Sequence, residues 1–305
     1  MSPRTKALLA IVGASLLWST AGITKIPLRV VDPFWLGFYR FLIASVVIFP
    51  FFLKNKTHTM RSLLSLVPLA TLTTINVMLF YVGLSRTTAN ASSLIYSVVP
   101  LTVAILAYRM IGEQLTRKKL LGILIGFVGV ALIVVLPAFE RGQRVSGDLG
   151  GNLIILLATL AWAIYIVGSR HAIAIRRYSP MEVTGVSLFT SLILFSFFAL
   201  FRLDSQHLAV LAQPGIALII LHLGVSLTVA TFLLYQWGIK NSSATTASLK
   251  QYVEPVFSVL FNMVVLGEII TSGFLLGSAL VLVGITLTSG TSILQELAAI
   301  VKRRR

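Results

Sequence analysis

Residues 83–129 read GLSRTTANASSLIYSVVPLTVAILAYRMIGEQLTRKKLLGILIGFVG, and residues 238–284 read GIKNSSATTASLKQYVEPVFSVLFNMVVLGEIITSGFLLGSALVLVG. Laid over each other without a gap, they pair Gly83 with Gly238, Ala89 with Ala244, Ser93-Leu94 with Ser248-Leu249, and Pro100 with Pro255. Gly112-Glu113 falls on Gly267-Glu268, Thr116 on Thr271, Gly122 on Gly277 and Gly129 on Gly284, always 155 positions apart. Roughly 15 identities in so short a window exceed what shared hydrophobicity produces, so the chain is an internal duplication. Upstream the match persists at slightly shorter offsets, with Leu17-Trp18 facing Ala161-Trp162 and Asp32-Pro33 facing Ser179-Pro180.

What is duplicated follows from composition. The 305 residues are 57% hydrophobic and 11% charged, with a mean hydropathy of +0.94. A soluble domain carries about 25% charged residues. Breaks of charge, Pro and Gly separate apolar stretches near 7–26, 34–53, 63–85, 91–109 and 118–137, then near 151–169, 181–201, 215–237, 244–266 and 273–292. A membrane-crossing helix needs about 20 apolar residues, so ten of them leave no room for a sizeable soluble domain. Each copy holds five, and an odd number forces the second copy into the membrane upside down relative to the first. The expectation is an all-α integral membrane protein of about ten transmembrane helices. They form two inverted five-helix repeats, 7–137 and 151–292, around a central cavity, followed by a basic cytoplasmic tail at 293–305.

Charge placement supports this reading and sets an orientation. Lys and Arg total 25 against 9 acidic residues, but the basic residues sit between apolar runs, which speaks for a bilayer and against nucleic acid. With the N-terminus cytoplasmic, the inner connections and ends hold about 17 basic residues and the outer ones about six. Both termini are therefore expected in the cytoplasm of a cell, in its inner membrane. The first apolar stretch, from Ala7 on, continues past Trp18 without a clear cleavage site and reads as a retained helix. There are no cysteines, the four histidines have no metal-ligand spacing, and no Walker loop or dinucleotide fingerprint is present. No enzyme activity, cofactor or metal is expected. Transport would run downhill or on an ion gradient, with protons as the candidate coupling ion.

Leu16-Leu17-Trp18-Ser19, Tyr39-Arg40-Phe41-Leu42, Ala89-Asn90-Ala91-Ser92 up to Pro100, Gly112-Glu113-Gln114-Leu115-Thr116, and Glu254-Pro255-Val256 followed by Gly267-Glu268 are weak motifs singly. In this order and duplicated, they resemble the EamA-type members of the drug/metabolite transporter superfamily over about residues 7–292. The resemblance implies a ten-helix α fold and export of amino acids, other metabolites or toxic compounds through a central cavity opened alternately to each side. Lys250 departs from the apolar or small residue the resemblance implies there.

Candidate site residues follow from the cost of polarity at membrane depth. Lys250 and Glu254 are four apart and share a helix face, which Ser258 and Asn262 extend. They read either as a cavity-facing pair that binds an ionic or zwitterionic substrate or relays protons, or as a pair that satisfies itself between helices. Trp18 and Trp162 occupy equivalent places near mid-span, suited to stacking on a substrate across a pseudo-two-fold or to packing. Asn76, Tyr96 and Tyr235 are further lining candidates. Arg40 reads as an interfacial anchor or ion-pair residue in preference to a substrate contact, and Lys25 as a charge with the same alternatives or one guarding the outer mouth. Pro100 and Pro255 mark helix kinks that serve as hinges or expose carbonyls. Glu113 and Glu268 read as caps of tight helical hairpins, outside the site. Gly122, Gly126 and Gly129 form a small-residue face, for packing within a monomer or for a homodimer. The preferred cargo is amino acids or related amphipathic compounds. The alternatives are a lipid-linked carrier, a head-group flippase or drug efflux, and, in another class, a non-transporting scaffold.

Overall fold

A computed structural model describes residues 3–111, 116–135, 147–202, 209–241 and 250–302. The first half comprises α1 (Pro3–Ser19), α2 (Pro33–Asn55), α3 (Met60–Leu64), α4 (Val67–Leu84), α5 (Ala89–Tyr96), α6 (Val99–Ile111) and α7 (Arg117–Val135). The second comprises α8 (Leu149–Ala174), α9 (Pro180–Leu200), α10 (Pro214–Gly224), α11 (Thr231–Asn241), α12 (Lys250–Leu266) and α13 (Ser272–Lys302). Each of the ten expected stretches contains helix, and no strand occurs among the described residues. Seven helical stretches are long and apolar enough to cross a membrane, and two shorter apolar ones lie at Glu254–Leu266 and Ser272–Leu287. Large apolar side chains such as Phe201, Val264, Ile193 and Leu218 are exposed, as befits helices whose outer solvent is lipid.

Local sequence explains the boundaries. Asp32 caps α2 by accepting from the Phe34 N–H, with Pro33 at the first helical position. Its repeat partner Ser179 caps α9 in a capping box with Glu182, again followed by Pro. Pro100 acts as expected of a breaker: the fourth span stops at Tyr96 and restarts at Val99, so Pro100 falls in the first turn of α6, where its missing N–H costs little. Pro255 instead lies inside the continuous α12. Two spans depart from plain α-helix. The first tightens into a 3-10 turn over Thr20–Lys25, and the eighth carries a π-helical turn over Val225–Ala230 between α10 and α11. The last helix runs on to Lys302, so the tail expected from 293 begins as its continuation; no Gly or Pro follows Gly290 to stop it.

Packing obeys the repeat. α2 packs on its counterpart α9, and α7 on its counterpart α13. The contact of α1 with α11 has its equivalent in that of α8 with α4, and the contact of α1 with α12 in that of α8 with α5 and α6. Such reciprocity is what a two-fold axis between inverted halves requires. The small-residue face of α7 is taken up inside the chain. A Cβ on Gly129 would lie 2.7 Å from the Gly277 carbonyl, and one on Gly284 would lie 2.6 Å from that of Gly122. These are the same contact in the two halves, so α7 and α13 touch backbone to backbone.

Candidate functional site

Between the halves lies a cavity of about 120 Å³. Trp18, Arg40, Asn76, Tyr96, Trp162, Lys250 and Glu254 all line it. A second chamber of about 60 Å³ adjoins it, sharing Tyr96, Trp162, Lys250 and Glu254 and adding Tyr235 and Pro255. The structure thus brings together the seven residues expected on a cavity and adds Arg40.

The two tryptophans do not face each other directly. Phe232 stands between them, its ring centroid 6.2 Å edge-on from both Trp18 and Trp162. Trp18 also meets Tyr235 at 5.2 Å, and Trp162 stacks on Tyr165 at 5.2 Å. Asn76 is held by two donations, to the Tyr96 hydroxyl at 2.6 Å and to the Ala158 carbonyl at 2.8 Å. Lys250 and Glu254 form the ion pair their spacing allows, and the Lys250 ammonium lies 4.4 Å from the Trp18 ring centroid. Their side chains are 19% and 25% exposed, so the pair is partly desolvated yet reachable.

Arg40 is not an interfacial anchor. Its Nε donates to Thr228 Oγ1 at 2.8 Å and an Nη donates to the Tyr81 hydroxyl at 3.1 Å. None of the four ion pairs among the described residues includes it. The π turn explains the contact: the Thr228 hydroxyl donates to the Leu223 carbonyl five residues back at 2.8 Å, leaving its oxygen to accept from Arg40. The pattern of residue types holds no signal of the π turn. Thr159, Ser169 and Thr231 donate to their own helices' carbonyls.

Glu268 is the residue that sequence reasoning left out. It caps a helix, but a distant one: its carboxylate accepts from the N–H groups of Ala89 and Asn90 at 2.7 and 2.8 Å, at the N-terminus of α5. Lys25 pairs with the same carboxylate at 3.3 Å. Beside it Asn262 donates to Asn90 at 3.1 Å, and the close approach depends on Gly22, where a Cβ would stand 2.0 Å from the Asn262 oxygen. This latch ties α5 and the end of the first span to the second half. α5 then runs away from it through Ser93 and Tyr96 into the second chamber. The duplicated Gly-Glu motif and the exposed donors of a helix starting at Ala89 were the available signal. Its counterpart Glu113 lies outside the described residues.

The site's charges are not duplicated. At the 155-residue offset Lys250 and Glu254 fall on Ile95 and Val99, and Arg40 falls on Ser187 at the offset that pairs Pro33 with Pro180. On the opposite face, the Glu182 carboxylate accepts from the Thr57 and His58 N–H groups at 2.7 and 2.8 Å, holding the connection after α2 to the start of α9.

Comparison with known proteins agrees with this architecture. The model of the EamA-like transporter family matches residues 5–135 and 149–290, one match per half. An uncharacterized transporter of Archaeoglobus fulgidus is 25% identical over 95% of this chain and 98% of its own. The uncharacterized transporter YetK of Bacillus subtilis is 27% identical over 92% and 84%. A WAT1-related chloroplastic protein of Arabidopsis thaliana is 26% identical over 89% and 66%. A solved crystal structure shares the fold, with a TM-score of 0.62 at 20% identity over 93% of this chain and 96% of that one. Reciprocal packing of the halves around a polar, aromatic-lined cavity and a family match repeated in each half lead to one conclusion: the chain belongs to the EamA-like transporter family and is a multi-pass membrane transporter.

Proposed function

We propose that the protein exports small amphipathic metabolites, amino acids or related compounds, across the inner membrane by alternating access, with both termini in the cytoplasm. The observation that carries this reading is the cavity between the halves, lined by aromatic, polar and charged side chains and bridged at one end by contacts between the halves. The Lys25–Glu268 pair and the α5 cap join opposite halves there, and the second chamber leads away from them. In the orientation that basic-residue placement favours, that end is the outer one. Rocking of the halves about the cavity would break this latch and close the other side. Trp18, Asn76, Tyr96, Trp162 and Tyr235 supply an aromatic and hydrogen-bonding wall, and Lys250 and Glu254 supply charge. Glu254 is the acid within reach of a coupling proton in that wall.

Efflux from proteoliposomes loaded with labelled amino acids tests the cargo: counterflow of at least one is expected, and absence of flux across a broad panel in both directions overturns it. The latch is tested separately. Glu268→Gln is expected to weaken it by about 1 kcal/mol, raising the open fraction about fivefold. The cysteine-free chain makes the readout simple. A cysteine at Ser92, which lines the cavity, should react several-fold faster with an impermeant thiol reagent from the Lys25 side when Glu268 is glutamine. Equal rates would remove the latch from the mechanism.

A further inference from the structure

Among the charges on the cavity wall, Arg40 is the one without an ionic partner. Lys250 is neutralised by Glu254, so the wall of Arg40, Lys250 and Glu254 carries one net positive charge. A guanidinium has five N–H donors. Two go to Thr228 and Tyr81, and the remaining three find no acceptor among the described residues. Those two contacts also aim the group: Thr228 is itself committed to Leu223 through the π turn, and the guanidinium carbon lies 5.6 Å from the Phe41 ring centroid and 6.0 Å from that of Tyr81. The rest of the wall is largely apolar, with Trp18, Phe80 and Phe232 prominent. A cation with a fixed planar edge in such surroundings is built to take a carboxylate, by paired N–H donation.

We infer that, within the proposed class of amphipathic cargo, an organic anion with a carboxylate and an apolar body is preferred to an amino acid, and that Arg40 is the residue that binds its carboxylate. A zwitterion is the poorer cargo, because its ammonium has only Glu254 to meet and Lys250 already holds that group. The inference rests on the cavity being the transport site.

Binding to purified full-length protein in detergent, followed by calorimetry, tests it with three matched probes: 3-phenylpropionate, its uncharged isostere 3-phenylpropanamide, and phenylalanine. The acid is expected to bind about tenfold more tightly than the amide, the increment of a charge-assisted over a neutral contact. It should also bind more tightly than phenylalanine. Arg40→Gln should bring the acid down to the level of the amide without changing the amide, and Arg40→Lys should restore part of the preference. Glu254→Gln, which adds one net positive charge while leaving Arg40 in place, should widen the preference and decides the matter if Arg40→Gln fails to fold. Equal binding of acid and amide by wild type, no binding of either, tighter binding of phenylalanine than of the acid, or a preference that survives Arg40→Gln or shrinks in Glu254→Gln overturns the proposal. Flux separates this from the transport reading. Proteoliposomes that bind the acid but do not move it sink the transport reading alone, and movement of amino acids without any acid preference sinks this inference alone.

Discussion

Gly284→Ala is expected to destabilise the protein by about 3 kcal/mol. The added Cβ would stand 2.5 Å from both the Cα and the nitrogen of Gly126 and 2.6 Å from the Gly122 carbonyl oxygen. Those atoms are helix backbone and cannot rotate aside, so α7 and α13 must separate and lose contact along their length. Melting in detergent should shift down by several degrees, at about 2 °C per kcal/mol for a chain of this size. Gly215→Ala supplies the control. Nothing lies within 4 Å of that position, and alanine in a helix gains up to about 1 kcal/mol. Equal melting of the two variants would show that the α7–α13 contact is looser than described.

The second large effect concerns Lys250 and Glu254, where stability and transport should part company. Glu254→Met leaves the Lys250 ammonium uncompensated in the cavity wall. A fully buried pair broken this way costs about 3–5 kcal/mol, and because both side chains keep a fifth or more of their surface, about 1–2 kcal/mol is expected here. Adding Lys250→Met removes the stranded charge, so the double variant should melt higher than the single one. Flux should nevertheless fall to that of empty liposomes in both, because Glu254, the acid proposed to take the coupling proton, is gone. Full transport by the double variant would leave the pair with a purely structural role.

The fold was legible because its signals are large. Ten apolar stretches and a gapless 155-residue repeat leave few architectures open, and Pro33 and Pro180, or the motif at Gly267-Glu268, survive as landmarks even where helix ends drift. The cavity residues Trp18, Trp162, Lys250 and Glu254 were legible for a related reason: polarity in an apolar span stands out. Arg40 was misplaced because distance along a helix says how deep a residue starts but not which way the helix turns it, and the π turn that brings Thr228 to it leaves no mark in the pattern of residue types. Glu268 was assigned to its own hairpin because a cap is a local device in sequence, whereas here the helix it caps begins 179 residues away.

Arg40, Lys250 and Glu254 have the neutral counterparts Ser187, Ile95 and Val99, so the molecule is two-fold in its scaffold and polar in its field. Arg40 lies seven positions into α2 from the end that Glu268 bridges, whereas Lys250 is the first residue of α12, at the other end of the span. A charged passenger arriving by one mouth meets the guanidinium first, and one arriving by the other meets the ammonium and carboxylate first. Exchanging the conformations of the two halves restores every helix to an equivalent place but does not restore the electrostatic potential along the path. In the proposed cycle entry and exit are therefore different events, and the two resting states are expected to differ in energy. The duplicated scaffold is symmetric, and three unduplicated side chains make the path through it unsymmetric.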